Sequence, residues 1–343
     1  MSRVSREVTF RPAWWVPGPH AQTLWGKFAR RAKPLPTRIE RWSTPDDDFI
    51  DLLRLDPPSS DSARLFVLHG LEGTVHSHYV SGLLRVAHAR GWGADMLIFR
   101  GCGDEPNRGP RFYHSGETGD LSFAVDRVLT EHPHADLVMC GVSLGGNVLL
   151  KWLGERAETL SERVRAAVAV SVPFDLERGS RYISRGFSRV YERHFLRTLR
   201  RKAQAKLQRY PDLFDSVALN RARTLYEFDD AVTGPVHGFR DAHDYYTRSS
   251  SLHFLARIRR PTLLLNARDD PFLPAAVLEE VAEIARKNPC LIVEFTEGGG
   301  HVGFVHGYPW RPRYYAEYRT GEFLSSHLVA RHGAESRVAT PRR

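Results

Sequence analysis

Asp136-Leu137-Val138-Met139-Cys140-Gly141-Val142-Ser143-Leu144-Gly145-Gly146 decides how this chain folds. Its first five residues are an apolar run of the length of a buried strand, and residues 147–155 behind it have helical character. Between the two stands Gly-x-Ser-x-Gly, centred on Ser143. A sharp turn from strand to helix strains the serine backbone and needs the smallest side chains two residues to either side. It holds the hydroxyl at the carboxyl end of the sheet, above a helix N-terminus. The five letters alone describe any glycine-rich turn. The strand before them and the helix after them give the serine chemical meaning.

The same theme recurs outward from that point. Residues 64–69 (Arg-Leu-Phe-Val-Leu-His) run into Gly70-Leu71-Glu72-Gly73, then into a helical stretch at 79–90. Residues 94–99 run into Arg100-Gly101-Cys102-Gly103, and a helical stretch at 121–131 precedes the serine strand. Apolar runs at 166–172, 262–266 and 291–295 repeat the pattern. Near-continuous apolar strands alternating with helices predict an α/β fold, a mostly parallel central sheet with helices on both faces. One such domain is expected over residues 1–343. Two parts depart from the alternation. Residues 1–62 read as an arm and two antiparallel strands (38–43 and 49–55) joined at Pro45-Asp46-Asp47-Asp48. Residues 173–256 read as a helical cap inserted over the functional edge, and the tail at 331–343 as polar, basic and flexible.

A serine hydroxyl is a weak nucleophile without a base that an acid orients. In this architecture the chain order is serine, acid, histidine, with the last two in loops after late strands. The loop after 262–266 carries Asp269 and Asp270, and the loop after 291–295 carries His301 behind Gly298-Gly299-Gly300. Asp270, held by Pro271 and Pro274 in a rigid turn, is the preferred acid. Asp269 is the alternative and is otherwise expected to face solvent or pair with Arg268. An oxyanion needs two fixed N–H donors. Leu144, at the helix start, supplies one, and Leu71, in the loop after the early strand, supplies the other. The candidate site is therefore Ser143, Asp270 and His301 with the Leu71 and Leu144 backbone N–H groups, and it calls for no metal and no organic cofactor.

Composition narrows the setting. The chain has 343 residues, 42% hydrophobic and 26% charged, a balance that suits a folded globular protein rather than a disordered one. No stretch approaches the roughly 18 apolar residues of a spanning helix. Pro12, Pro17, Gly18 and Pro19 interrupt the first residues in a way that a secretory signal does not. Cys102, Cys140 and Cys290 lie too far apart for a zinc ribbon or disulfide framework and fit a reducing, cytoplasmic compartment. His76 with His78, and His132 with His134, lack metal-ligand spacing, and the second pair reads as a solvated loop. Trp14 and Trp15 read as packing of the N-terminal arm.

The net charge of +9 has one address. Residues 176–210 hold eleven Lys and Arg against Glu177 and Glu192, a surplus equal to that of the whole chain. Arg181, Arg185, Arg189, Arg193, Arg197 and Arg201 recur every fourth residue. Ile183, Phe187, Tyr191, Phe195, Leu199 and Ala203 do so offset by two, which puts the rows on opposite helix faces, with Gly186 expected to break the helix in two. The apolar row should face the cleft and the basic row solvent. A basic face of this kind suits peripheral contact with anionic lipid or phosphate-bearing substrates, an attraction that salt weakens. No nucleic-acid-binding signature accompanies it, so no nucleic-acid partner is expected.

Taken together, His69-Gly70-Leu71-Glu72-Gly73, Arg100-Gly101-Cys102-Gly103, Gly141 to Asn147, Asp269-Asp270-Pro271 and Gly300-His301-Val302-Gly303-Phe304 resemble the α/β-hydrolase superfamily. Residues 17–23, with His20, Gln22 and Thr23, are similar to the N-terminal stretch of its YheT-like esterase branch. The resemblance runs from about residue 10 to 328. It implies a Ser-Asp-His hydrolase that cleaves carboxylic esters of short- to medium-chain acids through an acyl-enzyme, at Ser143, Asp270 and His301. Relatives of that branch also include phospholipase-like enzymes and alcohol acyltransferases, which stand as the alternatives, with a non-catalytic basic scaffold a remote one.

Overall fold

The computed structural model describes residues 10–30 and 34–328, so the tail expected at 331–343 lies outside the described residues. Eight strands form one sheet: β1 (Thr37–Ser43), β2 (Phe49–Leu55), β3 (Arg64–Leu68), β4 (Gly93–Ile98), β5 (Leu137–Val142), β6 (Val164–Val170), β7 (Thr262–Ala267) and β8 (Leu291–Thr296). Their order across the sheet is β1-β2-β4-β3-β5-β6-β7-β8. From β4 to β8 every pairing is parallel, while β1 and β2 join antiparallel at one edge. β3, β4 and β5 are buried along their whole length, which is why their sequences run apolar without alternation. The sheet is the mostly parallel, helix-covered α/β sheet that the alternation predicts.

Six helices matter for the site: α1 (Gly18–Ala29), α2 (His78–Ala89), α3 (Gly119–Glu131), α4 (Leu144–Arg156), α5 (Leu176–Ile183) and α6 (Arg189–Arg209). α4 starts at once after Ser143, three residues before the expected point, and is buried nearly all round, so it carries no amphipathic stripe to mark its start. Between β6 and β7 the described chain contains helices and no strand of the sheet. α5 ends at Ile183, and Gly186, with a φ of +50°, opens the 3₁₀ turn that leads into α6.

The six arginines of the basic row are all exposed, and Ile183, Tyr191 and Ala203 of the opposite row are buried. Phe187 departs from its row and is half exposed, because it sits in the 3₁₀ turn rather than on α6. The inner side of α6 is anchored by charge as well as by packing. Lys202 donates to Glu72 Oε1 at 2.7 Å, and Lys206 to the Asn107 carbonyl at 2.8 Å.

Two other expectations need correction. Trp15 packs on Trp25 and donates to the Gly307 carbonyl, but Trp14 is 75% exposed and packs on nothing comparable. His132 is not solvated: it is half-buried and accepts from Arg54 Nη2 at 3.1 Å, drawn in by the buried Arg54–Asp95 pair. Among the described residues no group of His, Cys, Asp or Glu is arranged to hold a metal ion, and no helix is long and apolar enough to cross a membrane.

Candidate active site

Ser143 stands between the last residue of β5 and the first of α4 with φ 55° and ψ −122°, a conformation that a non-glycine residue adopts only under strain. Its N–H is held by the Val170 carbonyl at 2.8 Å. Close approach explains the glycine two residues on. A Cβ at Gly145 would lie 2.5 Å from the Leu68 and His69 carbonyl oxygens, at the end of the neighbouring strand β3. Asn147 fastens the start of α4 to the loops above it: its amide donates to the Ser115 and Ser249 carbonyls and accepts from the Ser251 N–H.

Asp270 and His301, from the loops after β7 and β8, meet Ser143. The serine hydroxyl is 2.9 Å from His301 Nε2, and Nδ1 is 2.9 and 3.1 Å from the two Asp270 oxygens. An ionised carboxylate only accepts, so Nδ1 carries the proton and Nε2 is free to accept from the hydroxyl. Asp270 also accepts from the Phe272 N–H, and the Phe272 ring stacks on the imidazole at 4.0 Å. Both partners of the serine are almost fully buried. Contrary to the expectation above, Asp269 neither faces solvent nor pairs with Arg268; it accepts from the Gly300 N–H at 2.8 Å, and Arg268 pairs with Glu279 and Glu297 instead. The two adjacent carboxylates thus divide the loop, one holding the ring and the other the backbone behind it.

Leu144 is the first residue of its helix, where a backbone N–H has no partner within the helix. Leu71 lies between two anchored neighbours. The Gly70 N–H donates to the Tyr79 hydroxyl and the Glu72 N–H to the Tyr113 hydroxyl, each at 2.8 Å. Among the described residues no acceptor takes the Leu71 N–H. His69, fully buried, holds this loop from beneath. It donates from Nδ1 to the Gly70 carbonyl and accepts at Nε2 from Phe99, and burial pushes it down to about 4, so it stays neutral.

Sequence reasoning missed what supports His301 from behind. Thr23 Oγ1 accepts from the His301 N–H at 2.9 Å while donating to Pro19, 2.7 Å away. Gln22, almost wholly buried, accepts from the Val305 N–H and donates to the Val16 and Val305 carbonyls. A Cβ at Gly300 would meet the Pro19 carbonyl at 2.3 Å, so this glycine is what lets α1 close on the loop. Val302 and Phe304 are held at φ 62° and 44°, strain that this clasp sustains. The polar pair Gln22-Thr23 between the apolar Ala21 and Leu24-Trp25 was the available signal.

Two spaces meet at Ser143 and His301. One, of about 140 Å³, lies under the helical insertion and runs past Leu176, Ile183 and Leu199 to Asp229 and Tyr246. The other is a groove of about 850 Å³ between α1, the loop at 70–79 and α6. Burial pushes Asp229 up to about 6 from an ordinary 3.8. The folded chain therefore binds this proton more tightly than the unfolded chain. The resulting stability is present below 3.8 and lost as pH rises through about 6. Asp229→Asn, which carries no charge to bury, should be more stable than wild type by on the order of 2 kcal/mol at neutral pH. In thermal melts the gap should close as the pH falls to 3.8. Equal melting temperatures at neutral pH would contradict it.

These features define a class. The chain belongs to the α/β-hydrolase fold family, whose model matches residues 63–308, and it is a hydrolase of that type. Within the family it is YheT-like. It is 39% identical over 331 residues to YheT of Escherichia coli (strain K12), a protein provisionally named an esterase, across 95% of this chain and 96% of that one. It is 29% identical to the phospholipase ABHD3 of Mus musculus over 87% of this chain and 74% of that one. Among solved structures, the Pyrococcus furiosus esterase Pf2001 shares the fold, with a TM-score of 0.57 at 18% identity over 87% of this chain and 97% of that one.

Proposed function

We propose that the protein is a serine carboxylesterase that works through an acyl-enzyme. The observation that carries this reading is the unbroken line of hydrogen bonds from Ser143 through His301 to Asp270. In the proposed reaction Ser143 Oγ attacks the ester carbonyl as His301 Nε2 takes its proton. The carbonyl oxygen, now negative, is met by the Leu71 and Leu144 N–H groups. His301 then protonates the departing alkoxide, and water repeats the sequence on the acyl-serine. Asp270 keeps the proton on Nδ1 and offsets the charge of the imidazolium without accepting that proton.

The helical insertion serves in this reading as a cap, and the two spaces that meet at Ser143 give the two halves of an ester separate places. Similarity to relatives that are named esterase and phospholipase supports an ester substrate. The exposed arginine row, with Phe187 and Val190 half exposed at the lip of the groove, supports anionic lipid as a peripheral partner. Turnover of p-nitrophenyl esters across a range of acyl lengths tests the activity. A folded protein inert toward all of them would overturn it.

The support behind His301 gives a sharper expectation. Thr23→Val keeps the shape of the side chain but leaves the His301 N–H without its acceptor. Such a shift of the base should lower kcat about 10- to 100-fold with KM little changed. Thr23→Ser should restore most of the rate, since it restores the acceptor. A valine variant with wild-type kcat would mean that the clasp does not position the base.

A further inference from the structure

The wall of the cavity under the cap is apolar along Leu176, Ile183, Leu199 and Phe228, and then it meets a carboxylate. Asp229 opens a π-helical turn, Asp229–Thr233, the kind of local widening that recurs where a side chain must be aimed at a site. It accepts from the Thr233 hydroxyl at 2.5 Å and from the Tyr246 hydroxyl at 2.6 Å. Both donors are neutral. Several other deeply placed acids are met by cations, Asp95 by Arg54 and Arg64, Asp120 by Arg100, and Glu317 by Arg30. Glu192, like Asp229, has neutral donors, the Ser184 hydroxyl and the Leu225 N–H, but it is not on the cavity wall. Among the described residues no Lys, Arg or His forms an ion pair with Asp229. The two cations on the same cavity wall are already engaged, Arg100 by Asp120 and Lys202 by Glu72.

Asp229 is half-buried by its own surface yet lies deep enough for burial to raise its pKa, so the surface left open is cavity wall. Each carboxylate oxygen accepts two hydrogen bonds, and here each has taken one from a side chain. An alkyl chain that filled this space would strip water from the remaining lone pairs and give nothing back. A donor on the ligand would complete them.

We propose that the cap cavity holds a substrate chain that ends in a hydrogen-bond donor, an ammonium or a hydroxyl group, and that Asp229 is the subsite that receives it. The proposal rests on reading Ser143 as the nucleophile only for which ester is cleaved; the subsite itself stands on the cavity. Sites built around a buried polar group reject analogues that lack its partner more strongly than apolar pockets reject an extra group. Selectivity should therefore run against plain alkyl chains.

Calorimetric titration of the Ser143→Ala protein tests the subsite without catalysis. The probes are primary alkylammonium ions and 1-alkanols, beside methyl ethers of matched length, across a series of chain lengths. At the best length the two donors should bind about 10- to 100-fold more tightly than the ether. Asp229→Asn on the same background should lose most of the ammonium preference, because the amide keeps the shape and drops the charge. Equal binding of donors and ethers at every length, or an ammonium preference that Asp229→Asn leaves intact, would overturn the proposal.

Wild-type kinetics then locate the donor, with ω-amino, ω-hydroxy and unsubstituted acyl groups on one alcohol, and the mirror series on one acyl group. A preference in the acyl series places the acyl chain under the cap, and one in the alcohol series places the alcohol there. Unsubstituted esters turned over fastest in both series would overturn the proposal. Failure to turn over any ester would instead count against the esterase reading and leave the titration to decide the subsite.

Discussion

Ser143→Ala should lower kcat for p-nitrophenyl esters by about 10⁴- to 10⁶-fold while the protein folds as before. The alanine removes one oxygen and nothing that holds the turn. The Val170 carbonyl still receives the N–H of residue 143, and Gly145 still packs against β3. What remains after the loss is the turnover that the oxyanion donors and the bound geometry can support with water as nucleophile. KM should change little, because the substitution takes a single oxygen from the walls of the two spaces. Leu144→Ala makes the instructive control, since the N–H it contributes belongs to the backbone and survives the change. Its turnover should stay within about tenfold of wild type. Circular dichroism and thermal melts would establish that Ser143→Ala is folded. An alanine variant that retained wild-type turnover would remove Ser143 from the mechanism.

The second large effect separates two neighbouring acids. Asp270→Asn should cost about 10³- to 10⁴-fold in kcat. An amide can present its NH₂ to the ring, which moves the proton to Nε2 and points it at the serine hydroxyl, the wrong way round for a base. The amide also carries no charge to offset the imidazolium. Asp269→Asn meets a different need. Its oxygen still accepts from the Gly300 N–H, and burial already raises the pKa of the native carboxyl, so the neutral amide is a mild change. A loss of less than about tenfold is expected there. If Asp269→Asn proved the more damaging of the two, the assignment of the acid would be reversed.

The sequence makes the central sheet readable because buried parallel strands leave a signature that needs no partner to be seen. The runs at 64–69, 94–99 and 136–140 are largely apolar without alternation, and each ends in a turn. The positions of Ser143 and His301 are readable for a related reason: Ser143 follows such a strand, His301 follows the apolar run of the edge strand β8, and both are marked by glycines. The choice between Asp269 and Asp270 is harder, since both lie in one loop and only the direction of the turn separates them.

Less legible is anything that depends on a contact between distant segments. Gln22 and Thr23 carry no local pattern that names residues 301–305 as their partners. Asp229 looks in the sequence like one half of an ordinary acidic pair with Asp230. Only the π-helical turn separates them, leaving Asp230 exposed and capping the Ala242 N–H while Asp229 turns inward. Trp14 and Trp15 show the same limit at the surface, because identical neighbours on an arm must point different ways.

The clasp of α1 on the histidine loop ties together segments 278 residues apart. Contacts of such long range are closed late in folding, because the entropy of the intervening chain must be overcome first. During synthesis the serine and its helix emerge long before the histidine, and the helix that steadies the histidine emerges earlier still. Activity should therefore appear as the final event of maturation, after the sheet has formed. A nascent chain of this protein can thus fold most of its core before Ser143 has a steadied base beside it.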